Sequence, residues 1–280
     1  MKKILSAIIF ISIAALLTGC GNDQYAIEKR YWSIQKQAEK IFKNPAASPP
    51  RELERVVNLF NSFAKKFPKN TLSLESEFNI ARLYIVKEEY NKARAQLKML
   101  LEKYNKSQGI CAEAVFMIGN SYEIEDKWDS ALGQYKKIMQ EYSMTLRGIS
   151  IPVYIAQHYK IKYQPDKMIA ALQEAIAHYR ALADKYPDSP LAYQADKLVA
   201  ECYLALKDWQ NAISTFNTMV EKFKGKVDPG EALLSIAVIY KKELKDSANA
   251  KQALEQLIKD YPKSRFFKNA EALLKEVDKK

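Results

Sequence analysis

Few side chains in this chain could do chemistry on their own account. Two histidines, His158 and His178, and three cysteines, Cys20, Cys111 and Cys202, are spread over 280 residues. An imidazole can serve as a base or a metal ligand near neutral pH, and a thiol can attack, accept an acyl group or close a disulfide. Each use needs partners at a set spacing. The sequence offers no Gly-rich phosphate loop, no HExxH, no CxxC and no G-x-S-x-G. His158 directly precedes Tyr159 in a helical pattern, the setting of a packed or partly exposed helix residue. The 33 acidic residues contain no pair that spacing singles out as acid and base. The expectation is a protein without catalytic residues, metal or cofactor.

Cys20 has a different setting. MKKILSAIIFISIAALLTGC runs from two lysines through an apolar stretch, Ile4 to Leu17, into small residues, the layout of a secretory signal. The stretch is shorter than the about 20 residues a membrane span needs. Leu17-Thr18-Gly19-Cys20 resembles the lipobox of bacterial lipoprotein precursors. That resemblance implies cleavage before Cys20 and acyl chains, palmitate among them, on its thiol and new amino group; more than one chain gives stable anchoring. Gly21 follows where the inner-membrane retention signal of enteric lipoproteins has Asp, so outer-membrane sorting is implied.

Removing residues 1–19 takes away Lys2 and Lys3 and lowers the formal charge from +11 to +9. For an exported chain this balance points to anionic headgroups, cell-wall polymer or an acidic partner, not to nucleic acid. The lysines are spread along the whole chain, as on a solvated Lys/Glu surface.

The elements that must position any site are helices. Only 8 Gly and 10 Pro interrupt a chain rich in helix formers. An aliphatic residue, a small one, two others and then Tyr recur as Ile80-Ala81 with Tyr84, Ile118-Gly119 with Tyr122, Ile155-Ala156 with Tyr159, Val199-Ala200 with Tyr203 and Ile236-Ala237 with Tyr240. The tyrosines lie 38, 37, 44 and 37 residues apart. A second series, Phe67, Tyr104, Tyr142, Tyr186, Phe223 and Tyr261, has spacings of 37, 38, 44, 37 and 38. Two independent markers thus share one period, and within each unit the recurring residues sit at helical spacing around a polar turn. Val115, Ile118, Gly119, Tyr122, Ala131 and Tyr135 resemble the tetratricopeptide repeat (TPR) pattern, whose units are helical hairpins. The fold class expected is all-α, a TPR superhelical solenoid of about five hairpins over residues 74–280, including a C-terminal capping helix. A degenerate hairpin at 25–73 and a lipidated tether at 20–24 precede it, behind a signal at 1–19.

The third unit departs from the period by seven residues between Tyr159 and Ala175. Seven residues are close to two turns and shift the buried face by only about 20°. A long helix from about Asp166 to Lys185 is expected there. Cys111 and Cys202 fall two hairpins apart, roughly 20 Å for helices stacked at about 8–10 Å, beyond the about 7 Å a disulfide allows. They should not pair.

The TPR resemblance implies a groove lined by the first helices of successive hairpins, which takes peptides or partner segments. Phe78, Asn79, Arg82, Phe116, Asn120, Tyr154 and Gln157 are the candidate groove residues. Aromatics supply contact area, Asn and Gln can bond an extended backbone, and Arg82 can take a carboxylate bidentately. The chaperone-binding members of the family use a Lys and Asn one turn apart where Phe78 and Arg82 stand here, so that partner class is not implied. A lipobox, TPR hairpins and unit ends such as YPDSP and YPKSR together look like the outer-membrane lipoproteins of the BamD type. This resemblance implies a non-catalytic scaffold facing the periplasm, partnering β-barrel assembly components. Secretin pilotins and the periplasmic TPR partners of the Tol system or cell wall have similar make-up, and a cell-wall enzyme module is the reading from a different class.

DKWDSALGQY and KDWQNAISTF align as turn and second helix, with Trp128 or Trp209 at the turn and Ala131 or Ala212 at the helix contact. Truncating Trp209 is expected to cost what a core aromatic does, about 3–5 kcal/mol.

Overall fold

The computed structural model describes residues 24–187 and 189–278. The leader at 1–19, Cys20 and the tether up to Asp23 lie outside the described residues. These form helices and, among the described residues, no strand; none of the helices is long and apolar enough to cross a membrane. In chain order they are α1 (Gln24–Lys43), α2 (Pro50–Lys66), α3 (Thr71–Val86), α4 (Tyr90–Lys103), α5 (Gln108–Ile124), α6 (Trp128–Glu141) and α7 (Leu146–Ile161). Then come α8 (Pro165–Lys185), α9 (Pro190–Leu206), α10 (Trp209–Lys222), α11 (Gly230–Val238, running on as a π-helix over Ile239–Leu244), α12 (Ser247–Asp260) and α13 (Phe267–Val277). The described residues form an N-terminal hairpin, five TPR-type hairpins and a closing helix. They divide into two compact units, which part between Ala131 and Leu132 within α6.

The first series of tyrosines marks how each hairpin turns. The carbonyls of Tyr84, Tyr122, Tyr159 and Tyr203 accept the N–H groups of Glu89, Lys127, Gln164 and Asp208, five residues on, at 2.8–2.9 Å. Before each of these donors, Glu88, Asp126, Tyr163 and Lys207 sit at φ 54–60°. This is the closure that caps a helix through one left-handed residue, accomplished here without glycine. In the fifth hairpin the Tyr240 carbonyl bonds Asp246, six residues on. Lys245 takes the left-handed place at φ 57°, and the π-helix Ile239–Leu244 absorbs the extra residue.

The second series closes the second helices. The N–H groups of Phe67, Tyr104, Tyr142, Tyr186, Phe223 and Tyr261 bond carbonyls four residues back at 2.9–3.1 Å, and a polar residue three further on often caps the next helix. Asn70, Thr145 and Ser189 do so, bonding the N–H groups of Leu72, Gly148 and Ala192. At Gly148 the chain comes so close to itself that a Cβ would stand 2.1 Å from the Tyr142 carbonyl oxygen. Only glycine fits there.

In the first unit α3 is buried on two sides. Its Ile80 and Leu83 pack with Ile27, Tyr31 and Ile34 of α1 and Phe60 and Phe63 of α2. Its Phe78, Ala81 and Ile85 pack with Ala93 and Leu97 of α4 and Met117 and Ile118 of α5. In the second unit Tyr179, wholly buried on α8, donates its hydroxyl to the Ile149 carbonyl of α7 at 2.6 Å. The Tyr193 ring meets the Phe223 ring edge-on at 5.2 Å. The long helix appears as expected: α8 has 21 residues where α4, α6, α10 and α12 have 14.

Cys111 and Cys202 are buried and neither forms a disulfide. The Cys111 thiol donates to the Tyr104 carbonyl at 3.3 Å. Burial pushes the Cys202 thiol up to about 12, which leaves it a small apolar core residue. Trp209 needs correction: as the first residue of α10 it is only half-buried, whereas Phe216 two turns on is 4% exposed. Phe216→Ala should therefore cost the about 3–5 kcal/mol of a core aromatic, and Trp209→Ala clearly less. Urea unfolding of the two variants checks the order.

Candidate functional site

The residues expected to line a groove begin on α3, and the two packed sides of that helix decide their fate. Phe78, 5% exposed, points into the cluster with Ala81, Leu97 and Met117; it is core. Asn79, 3% exposed, donates its amide to the Tyr31 hydroxyl at 3.1 Å and to Gln35 Oε1 at 2.9 Å, both on α1. Neither offers a surface to a ligand. Phe78 is covered by α4 and α5, and Asn79 by α1, which packs on α3 ahead of the recognisable repeats. Arg82 remains part-exposed, but its guanidinium already bonds Glu75 Oε1 at 2.5 Å and Asn79 Oδ1 at 2.9 Å and lies over the Phe78 ring at 5.9 Å. A ligand carboxylate at Arg82 would have to replace Glu75.

Phe116 is half-buried against the same cluster as Phe78, and Asn120 is half-buried one turn on along α5. In the second unit Tyr154 is half-buried, its ring edge-on to Tyr135 at 5.3 Å, and Gln157 is exposed. Phe78, Asn79 and Arg82 thus come together as one packed row, with Phe116 on the cluster below. Arg82, Asn120 and Gln157 are the members that keep polar atoms at the surface.

A second polar cluster went unread. Arg94 on α4, 8% exposed, donates to Glu125, to Ser121 Oγ at 3.2 Å and to Asn91 Oδ1 at 2.8 Å, and its guanidinium lies 4.3 Å from the Tyr122 ring centre. It ties α4 to α5. The sequence held one signal of it: the residue after the repeated alanine is Ile213 in the fourth unit and Arg94 in the first, a charge at a core position. Lys127 and then Arg94 hold the Glu125 carboxyl below the usual glutamate value, against the opposing effect of burial.

Family models of the tetratricopeptide repeat match residues 172–226 and 231–264. The chain carries tetratricopeptide repeats. The first match starts at Leu172, seven residues into α8, where a helix of regular length would begin. Solved structures with related architecture include the C-terminal part of a TPR repeat-containing protein from Cytophaga hutchinsonii, 15% identical over 84% of this chain and 82% of that one, with a TM-score of 0.44. BtubC (BKLC) from P. vanneervenii is 13% identical over 90% and 92%, with a TM-score of 0.40. The TPR2AB domain of yeast Sti1, in complex with pHSP90, is 14% identical over 91% and 100%, with a TM-score of 0.33. Among curated proteins none matches the chain. Tetratricopeptide repeats suggest a protein–protein interaction scaffold.

The third repeat differs from the others at its tip as well as in length. Ile161, Tyr163 and Ile169 are 64%, 92% and 41% exposed, around the exposed Lys160, Lys162 and Lys167. No other hairpin turn carries so much apolar surface among the described residues. Further down α8, His178 is largely buried with its Nε2 unpaired, and desolvation lowers its pKa; the His158 ring stands edge-on to Tyr159 at 5.6 Å.

Two pH effects follow. The lowered Glu125 pKa adds stability that is complete above the ordinary glutamate pKa of about 4.3 and is lost as pH falls through the folded-state value. Glu125→Gln should cost about 1.5–3 kcal/mol at neutral pH by weakening a charged hydrogen bond and should flatten the acid limb of the stability profile. His178, with a folded pKa below its unfolded one, adds stability that is complete above about 6.5 and falls as pH drops below it. His178→Gln should reduce the loss of Tm between pH 7.5 and 5.5, read by thermal unfolding at both values.

Proposed function

We propose that this chain is a non-catalytic scaffold, anchored by acyl chains on Cys20 to the periplasmic face of the outer membrane, that works in outer-membrane protein assembly as BamD-type lipoproteins do. The lipobox-like Leu17-Thr18-Gly19-Cys20 and Gly21 support the anchor and its destination. The repeats support partner binding. The observation that carries the partner reading is the tip of the third repeat: Ile161 and Tyr163 are exposed at its turn, and Ile169 is exposed on the added length of α8. Apolar side chains gathered at one hairpin turn, with Tyr163 where the other turns place Glu88, Asp126, Lys207 and Lys245, mark a contact surface rather than a structural need. The proposed partner is a β-barrel assembly component, with Arg82, Asn120 and Gln157 as candidate polar contacts.

Crosslinked capture of the lipidated protein from a detergent extract tests this. A β-barrel protein is expected among the captured partners, and Ile161→Asp with Tyr163→Asp should lower its recovery at least tenfold while the unfolding midpoint stays put. Capture without a barrel protein, or full recovery by the double variant, would overturn it. Loss of secretin multimers on deletion of the gene would move the assignment to the pilotin class.

A further inference from the structure

The face of α1 turned away from the core has a composition of its own. With 3.6 residues per turn, Tyr25, Lys29, Trp32, Lys36, Lys40 and Lys43 fall within an arc of about 80°, opposite Ile27, Tyr31, Ile34, Ala38 and Ile41, which are buried against α2 and α3. Tyr25 and Trp32 are 69% and 54% exposed, and all four lysines are exposed. The Tyr31 ring braces the indole edge-on at 5.3 Å. Glu39 borders the arc, and Glu28, further round, is bonded by the Gln24 amide at 2.6 Å.

We infer that this outer face of α1 rests on an anionic bilayer surface. Three observations select lipid as the occupant. First, the arc holds aromatics and lysines but no Leu, Ile, Val or Met; a helix that docks into a protein groove presents aliphatic anchors at this spacing, whereas Trp, Tyr and Lys are the residues of a membrane–water interface. Second, lysines along the length of the helix match the negative potential of an anionic leaflet, each adding to the attraction. Third, α1 begins at Gln24, and the five residues from Cys20 to Tyr25 reach at most about 18 Å. This third point rests on the anchor proposed above: acyl chains on Cys20 would keep Tyr25 within that distance of the headgroups. Trp32 and Tyr25 would then sit at the headgroup level with the lysines against phosphates, and the anchored scaffold would gain a fixed tilt rather than a free tether.

The test uses the protein as the cell processes it, purified in detergent and reconstituted into phosphatidylglycerol vesicles with brominated acyl chains, which quench indoles lying at the bilayer. Quenching of the parent is expected, and Trp32→Phe should abolish it, Trp128 and Trp209 remaining unquenched. Lys29→Glu with Lys36→Glu, or a change to phosphatidylcholine vesicles, should cut the quenching at least twofold. Vesicle-bound protein without quenching, or quenching that Trp32→Phe leaves unchanged, would overturn the inference. Mass spectrometry of the N-terminal fragment separates the two readings. Acylated Cys20 without quenching sinks the α1 contact alone, quenching without acylation sinks the anchor alone, and loss of both sinks both.

Discussion

Close approach at the helix crossings is the constraint on which the structure depends. Ala81, Ala93, Ala131, Ala200, Ala212, Ala237 and Ala250 have no accessible surface, so a larger side chain at any of them would need room that the packing does not leave. With helices drawn to about 8–10 Å, the aromatics beside each crossing fill the remaining space. One hairpin cannot bury both of its faces, so each relies on the next. The repeated residues are consequently committed to holding the stack, and what the molecule does for others must come from those that do not repeat.

That division explains why the fold was easier to read than the site. Period, hairpin turns, the long α8 and the unpaired cysteines follow from spacing, because Tyr84 and its counterparts mark a backbone closure and Phe67 and its counterparts mark helix ends. Groove positions were taken from the TPR resemblance, which does not say which faces of α3 its neighbours cover. The N-terminal hairpin covers one of them, and Asn79, taken for a ligand contact, is instead bonded to Tyr31 and Gln35. Contacts between residues 44 and 48 apart leave no trace in local periodicity. The Arg94 cluster escaped for a related reason: an arginine among many charged residues is conspicuous only once its neighbours are known to be buried. Trp209 misled by its size, since a large ring at a helix start can cover a turn without entering the core.

The same division sorts the surface. The outer face of α1 and the tip of the third repeat both lie outside the recurring plan, and they differ in chemistry. Aromatics and lysines without aliphatics line the first, whereas isoleucines and a fully exposed tyrosine crowd the second. On the function proposed above, a scaffold held at a membrane would have two such needs, a fixed stance and an exposed contact.

The two irregular hairpins show which lengths of insertion the fold can accept. Seven added residues in α8 leave its inward face almost where it was, and one added residue between Tyr240 and Asp246 is taken up by a local widening of the helix. An insertion of five would rotate everything beyond it by about 140° and bring charged side chains into the stack. Arms of such an array can therefore grow only in near-integral turns, so new binding surface comes in steps about two turns long and not by single residues.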